Sequence, residues 1–323
     1  MSERRWNPFL REWVTTATHR QERTFLPPDD YCPLCPTQPG GFQTEVPRES
    51  FEFVVFQNRF PSLQMPPPSP AVQSLPLMPV APAEGICEVV LYTSRHSGTL
   101  TDASVDEIER LIYVWADRSA ELGRNPRVQY VFIFENKGKE IGVTLTHPHG
   151  QIFGYPFIPP IAQRELASAA EHYANTNRNL FADVLEAERA DGRRLVCENA
   201  DFYAGIPFYA KLPYELHLTP KSHVARIEEL SPSQRRSLAQ ILKESLERYD
   251  RLFGFSLPYV MAMHQAPSDG LPHPEYTYHI EFYPPHRTRD KLKYLAGSEV
   301  GMGAFITDTL PEECAEHLRT IPW

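Results

Sequence analysis

Two stretches of this chain repeat the same order of signals, and that repeat constrains the fold more than any other feature. His96 is followed eight residues later by Ser104, which opens the capping box Ser104-x-x-Glu107 and a helical pattern with apolar Ile108, Leu111, Ile112 and Trp115. His223 is likewise followed eight residues later by Ser231, which leads through Pro232 and Gln234 into a pattern with apolar Leu238, Ile241, Leu242 and Tyr249. Each helix signal gives way to two strand signals, Val128–Glu135 and His147–Phe153 in the first half, Leu257–His264 and Tyr276–Tyr283 in the second. Strands, helix and strands, twice over, predict an α+β fold: two modules sharing a largely antiparallel β-sheet flanked by helices. The expected division is residues 1–165 and 166–323, with the charged stretch Gln163–Arg193 as a helical bridge.

The last strand of the first half carries Thr146-His147-Pro148-His149-Gly150-Gln151, set between the apolar runs Val131–Phe134 and Ile152–Phe157. Side chains alternate along an extended strand, so His147, His149 and Gln151 are expected on one face. An imidazole is largely unprotonated near neutral pH and attacks phosphorus without a separate base, which makes His149 the candidate nucleophile. A lone histidine here would read as a core hydrogen-bonder; two histidines and a glutamine on alternate positions read as a site. Aligning the halves at their last strand sets His279 opposite His149 and Glu281 opposite Gln151. The second half lacks the full motif, so only the first is expected to be catalytic.

Composition narrows the setting. The 323 residues suffice for one large or two ordinary domains with real cores, and a net charge of −9 without long basic runs argues against nucleic acid as a partner. The opening Met1-Ser2-Glu3-Arg4-Arg5-Trp6-Asn7-Pro8 lacks the apolar stretch of a signal peptide, and no run approaches the ~18 apolar residues of a membrane span, so a cytoplasmic protein without membrane contact is expected. Five cysteines do not look like a disulfide framework. Cys32-Pro33-Leu34-Cys35 is spaced as a redox motif or half a zinc site, or by coincidence, and its flanks favour a rigid knuckle over a thioredoxin helix. Cys87, Cys197 and Cys314 have no metal-like spacing and read as buried or partly buried thiols; Pro61–Pro82 reads as an irregular surface segment.

The run His147-Pro148-His149-Gly150-Gln151 resembles the signature of the histidine triad superfamily in the form used by the galactose-1-phosphate uridylyltransferases. The resemblance extends along nearly the whole chain and implies two histidine-triad-like modules, the second degenerate, in a homodimer whose active site borrows residues from the partner. Hydrolase branches have a third histidine where this chain has Gln151; an amide holds a phosphate oxygen but donates no acid proton that would help water, which implies transfer. The implied reaction converts UDP-glucose and galactose 1-phosphate to glucose 1-phosphate and UDP-galactose by ping-pong displacement through a uridylyl-histidine. A related nucleotidyltransferase or phosphorylase acting on ADP-glucose is the alternative.

The resemblance also assigns binding residues. Within Thr18-His19-Arg20-Gln21-Glu22-Arg23, Arg20 and Arg23 match paired arginines that grip a diphosphate; Asn58, in Phe56-Gln57-Asn58-Arg59-Phe60, would contact the nucleoside. Asn136, in Phe134-Glu135-Asn136-Lys137-Gly138, would contact phosphate, with Gly138 allowing a tight turn, and Thr144 takes the place of a phosphate-binding serine. Near the C-terminus Lys293 would neutralise a phosphate and Glu299 bond sugar hydroxyls. A structural zinc is implied on Cys32, Cys35, His96 and His147. A second metal, Fe²⁺ or Zn²⁺, is implied on Glu165, His264, His279 and Glu281, the last a departure from the family's histidine.

Overall fold

Both repeated helices begin as their sequences dictate. In the computed structural model, which describes residues 2–22 and 31–323, the Ser104 side chain accepts the Glu107 N–H while the Glu107 carboxylate reaches back to the Ser104 N–H. Ser231 and Gln234 make the same reciprocal pair. The helices so started run Val105–Gly123 and Pro232–Leu252, pack on each other, and bury Ile108, Leu111, Ile112 and Trp115 of one and Leu238, Ile241, Leu242 and Tyr249 of the other in a single core.

In chain order, β1 (Ser2–Asn7) and β2 (Glu12–Ala17) form a hairpin, β3 (Val54–Gln57) follows, and β4 (Val80–Pro82) joins β1 in a three-stranded sheet. Next come β5 (Ile86–Leu91), α1 (Val105–Gly123), β6 (Tyr130–Lys137), β7 (His149–Tyr155), α2 (Pro160–Thr176) and α3 (Leu180–Asp191). The second half adds β8 (Leu195–Glu198), β9 (Phe202–Gly205), β10 (Leu216–Pro220), α4 (Pro232–Leu252), β11 (Tyr259–His264) and β12 (His279–Tyr283). The chain finishes with the β13 (His286–Thr288) and β14 (Lys291–Leu292) pair, α5 (Gly297–Met302) and α6 (Pro311–Thr320).

Nine strands form one sheet in the order β3-β5-β7-β6-β11-β12-β10-β9-β8, every neighbouring pair antiparallel. The predicted α+β architecture with one shared antiparallel sheet is thereby observed. The halves meet at β6 and β11, where Phe134 pairs with Ala262. Phe134 also pairs with Gln151, and Ala262 with Glu281, so residues equivalent in the two halves face each other across the seam. Walking outward from this pseudo-twofold, Asn136 corresponds to His264, Val89 to His217, and Phe56 to Gly205.

The charged stretch 163–193 is helical as expected, in two helices, because Asn177 takes a left-handed conformation (φ 55°) that ends α2 and Asn179 caps α3. One local expectation is corrected. The signature strand begins at His149, two residues later than expected, because His147 sits in a bend with its ring drawn to the Thr93 carbonyl and the cysteine pair. The proline-rich stretch is largely irregular, with Val72, Leu75, Leu77 and Met78 exposed. Cys87, Cys197 and Cys314 are free and buried. Among the described residues no helix is long and apolar enough to cross a membrane.

Candidate active site and metal centres

Five residues proposed for the site come together in one pocket. His149 and Gln151 project from β7, Asn136 from the end of β6, Asn58 from just beyond β3, and Thr144 from the segment leading into β7. That segment can turn back because Gly138 has φ 95°, and a Cβ there would lie 2.6 Å from the Pro258 Cβ. The His149 Nδ1 lies 2.7 Å from the His147 carbonyl oxygen. A carbonyl only accepts, so Nδ1 carries the proton and Nε2 keeps the basic lone pair. Gln151 Oε1 accepts the Asn58 amide at 3.5 Å, which orients both amides in the pocket. The walls, Phe56, Phe60, Val89 and Leu145, are apolar, and Glu45 and Arg59 pair at 3.1 Å on the lining. An imidazole with a basic Nε2, amide and hydroxyl groups, and aromatic walls on one face fit an anionic group attached to a planar base.

On the same side of the molecule Cys32, Cys35, His96 and His147 offer donor atoms that all lie within 4.8 Å of one another. Cys35 Sγ is 3.3 Å from His96 Nδ1 and 3.6 Å from His147 Nδ1, and Cys32 Sγ is 4.0 Å from His147 Nδ1. Tetrahedral zinc with bonds of about 2.3 Å to sulfur and about 2.0 Å to nitrogen sets such donors roughly 3.6 Å apart. The His147 Nε2 donates to the Thr93 carbonyl at 2.8 Å, which leaves Nδ1 bare toward the sulfurs, the arrangement a metal-bound histidine requires. Burial holds His147 below the usual imidazole range, in the neutral form. Burial, and then the neighbouring Cys32, push the Cys35 thiol up to about 11, a crowding of sulfur that a cation would reverse. This donor set fits zinc.

A second group, Glu165 of α2, His264 of β11, and His279 and Glu281 of β12, also brings its donors within 4.8 Å. His264 lies 3.0 Å from Glu165 and 3.3 Å from Glu281, and His279 Nε2 lies 3.5 Å from Glu281. His279 repeats the tautomer of His149, its Nδ1 2.9 Å from the Thr277 carbonyl. Burial would lower His264, but Glu281 and Glu165 outweigh it and lift the ring to about 9. Burial would raise Glu281, yet His217, His264 and His279 hold it well below the carboxylate range. The charges are held together by protons that a divalent ion can replace, so the set fits such an ion. Sequence reasoning missed two members of this surround: Tyr276, whose hydroxyl donates to Glu165 at 2.6 Å, and His217, 3.4 Å from Glu281 and 3.0 Å from Glu215. His217 stands in no motif; only its strand register opposite Glu281 reveals it.

The remaining proposed residues are placed elsewhere. Arg20 lies in a short turn of helix, 3.1 Å from the Phe60 carbonyl, beside but not lining the pocket, and Arg23 lies outside the described residues. Lys293 and Glu299 do not line the His149 pocket; they pair with each other at 3.1 Å, and Glu299 caps the N–H of Ala296 at 3.2 Å. Around them Tyr294, Val300, Met302 and Ile306 are exposed. The wall residues Phe56 and Phe60 flank Asn58 in the sequence, and that spacing was the available clue to them.

Residues 1–159 match the N-terminal domain family of galactose-1-phosphate uridyl transferase, and residues 165–322 match its C-terminal domain family. The galactose-1-phosphate uridylyltransferase of Thermotoga maritima is 40% identical over 99% of this chain and 98% of its own length. That of Rattus norvegicus is 34% identical over 98% of this chain and 87% of its own. A solved uridylyltransferase structure, 34% identical, superposes with a TM-score of 0.86 over 98% of this chain and 97% of that one. An ADP-glucose phosphorylase from Arabidopsis thaliana shares the fold at 21% identity and a TM-score of 0.74. With both domain families matched end to end, relatives alike over their full length, and one pocket gathering the signature histidine and glutamine, this chain belongs to the galactose-1-phosphate uridylyltransferase family.

Proposed function

We propose that the protein exchanges a uridylyl group between UDP-glucose and galactose 1-phosphate, with His149 as the carrier. The observation that carries this reading is the His149 tautomer: Nδ1–H is committed to the His147 carbonyl at 2.7 Å, so Nε2 is the attacking atom. As the Nε2–phosphorus bond forms at the α-phosphorus, the bond to the departing glucose 1-phosphate oxygen breaks, and the positive charge on the ring is met by the His147 carbonyl. A phosphate oxygen of galactose 1-phosphate then attacks the same phosphorus and the nitrogen–phosphorus bond breaks. Asn136, Thr144 and Gln151 hold the oxygens on which charge shifts, with Arg20 and Arg23 on the diphosphate and Asn58 on the nucleoside. Gln151 favours this exchange over hydrolysis because its amide supplies no acid proton.

Zinc on Cys32, Cys35, His96 and His147 ties the N-terminal segment to the strand entry and takes no part in the chemistry, since four protein ligands leave no open position. The second group takes Fe²⁺ or Zn²⁺. Lys293 and Glu299, which do not line the His149 pocket of their own chain, act on the sugar phosphate of a partner subunit in a homodimer, and the exposed apolar residues around them form part of that contact. The functional division into a catalytic module at 1–165 and a degenerate one at 166–323 follows the pseudo-twofold. Intact mass of the protein after incubation with UDP-glucose alone tests the reading. A gain of one uridylyl group per chain, removed by galactose 1-phosphate and absent in His149→Gly, is expected; UMP release without an adduct overturns it.

A further inference from the structure

The face of β12 that carries His279 and Glu281 opens into a cavity of about 670 Å³, against about 160 Å³ for the His149 pocket. One pair of equivalent positions differs sharply in size. Phe56, opposite Val89, lines the first pocket, whereas its counterpart Gly205, opposite His217, lines the second. Gly205 has no left-handed backbone to accommodate; what demands glycine is Tyr203, whose Oη would lie 2.5 Å from a Cβ at this position. That hydroxyl belongs to a side chain lining the same cavity; Tyr203 is only 5% exposed, and its Oη has no hydrogen-bond partner among the described residues. A buried phenol left without an acceptor is unfavourable, and a ligand oxygen would supply the missing acceptor.

Two cations line the cavity with it, Arg164 from α2 and Lys211 from the loop before β10. Neither forms an ion pair among the described residues, and the Lys211 ammonium lies 5.4 Å from the Phe305 ring centroid. The carboxylates of the lining are already engaged. Glu188 holds Arg194 at 2.7 Å and the Phe208 N–H at 3.1 Å. Glu215 takes the N–H groups of Lys211 and Leu212 at 2.8 and 3.0 Å and faces His217 at 3.0 Å. Glu165 and Glu281 are held by the imidazoles of the second metal group.

We propose that this cavity is a second ligand site, separate from the His149 pocket, which takes a phosphate dianion through Arg164, Lys211 and the Tyr203 hydroxyl. The ligand is inorganic phosphate or the phosphate of a hexose phosphate, whose sugar ring the remaining volume accommodates. The test is calorimetric titration of the full-length, Zn²⁺-loaded protein with inorganic phosphate and, separately, with galactose 1-phosphate. Wild type, His149→Gly, Tyr203→Phe and the double variant Arg164→Met/Lys211→Met are compared. Phosphate binding is expected to survive in His149→Gly, to weaken at least tenfold in the double variant and several-fold in Tyr203→Phe, while the double variant keeps wild-type uridylyl transfer. In His149→Gly, galactose 1-phosphate binding at least tenfold tighter than phosphate and lost on adding the double substitution assigns the site to a hexose phosphate; equal affinities assign it to inorganic phosphate. Phosphate affinity unchanged in the double variant, or abolished in His149→Gly, overturns the proposal.

Discussion

The same four positions of one fold are used twice in this chain, to opposite ends. In the first half they hold Val89, Asn136, His149 and Gln151; in the second, through the seam symmetry, His217, His264, His279 and Glu281. His149 and His279 sit on equivalent strands in the same tautomer, each Nδ1 committed to the carbonyl two residues earlier. What differs is the company. His149 shares its pocket with the amides of Asn58, Asn136 and Gln151 and with apolar walls, so its Nε2 is presented to a pocket suited to a phosphate ester. The Nε2 of His279 meets a buried carboxylate at 3.5 Å, in a cluster of charges suited to a cation. An imidazole on a strand is therefore suited to neither attack nor metal binding by itself; in the proposed reading the residue two positions on, amide or carboxylate, sorts one use from the other.

The strongest test of that contrast removes each imidazole in turn. His149→Gly is expected to lower kcat for uridylyl transfer by at least about 10³-fold, the scale of losing a covalent nucleophile. His279→Gly should leave kcat within about tenfold while reducing bound metal, measured by plasma mass spectrometry, by one ion per chain. Equal losses of activity in the two variants would erase the functional distinction between the halves.

Exchanging the partner residue is the next largest change. Gln151→Glu places a carboxylate where phosphate oxygens gather, and should lower kcat/KM by about 10²-fold through repulsion and the lost amide donor. Glu281→Gln should spare catalysis but empty the second metal group. Because it leaves the buried His264, lifted to about 9, with Glu165 as its remaining carboxylate, it should destabilise the metal-free fold by up to about 3 kcal/mol, read by chemical denaturation. A metal-replete Glu281→Gln protein would show that Glu165 and the two imidazoles suffice.

Among the described residues the Cys₂His₂ group has no counterpart in the second half, where His223 corresponds to His96 and donates to the Tyr276 carbonyl at 2.9 Å. Cys35→Ser is expected to cost one zinc per chain and to lower the melting temperature by several degrees, with kcat reduced about tenfold because His147 anchors the entry to β7. Unchanged kcat in the zinc-free variant would show that the strand alone positions His149.

Much of this was legible in the residues, and for physical reasons. Ser104-x-x-Glu107 and Ser231-x-x-Gln234 are local devices, complete within four residues, so both helices were readable with their starts. The alternation His149, Gln151 is equally local, and both side chains reach one pocket. His217 and Gly205 were illegible because their roles come from register: each matters only through the residue it faces on another strand, Glu281 for the first and His217 for the second. The split of 163–193 into two helices turned on a single left-handed Asn177, a conformation that helical periodicity does not report. Lys293 and Glu299 were found by motif alone; in the structure they pair with each other and do not line the His149 pocket, because nothing local to their motif fixes which pocket they serve.

The smallest expected effect lies at the seam itself. Glu135 of β6 corresponds to Met263 of β11, so one half buries a carboxylate where the other buries a thioether. Burial raises Glu135 to about 7, against the pull of Lys137 and the hydroxyls of Tyr92 and Tyr259. A carboxyl whose folded pKa lies above its unfolded one binds more protons when folded, so stability is greatest below the ordinary carboxylate range and declines as pH rises to about 7. With about 1.36 kcal/mol per unit, the decline contributed by Glu135 is at most about 3 kcal/mol. Glu135→Gln keeps the shape and the acceptor for Tyr259 but removes the titration. Its denaturation midpoint should exceed that of wild type at pH 8 and match it near pH 4.5, whereas a lower midpoint at pH 8 would mean that the ionised carboxylate stabilises the seam through Lys137 and the second half has done without that help.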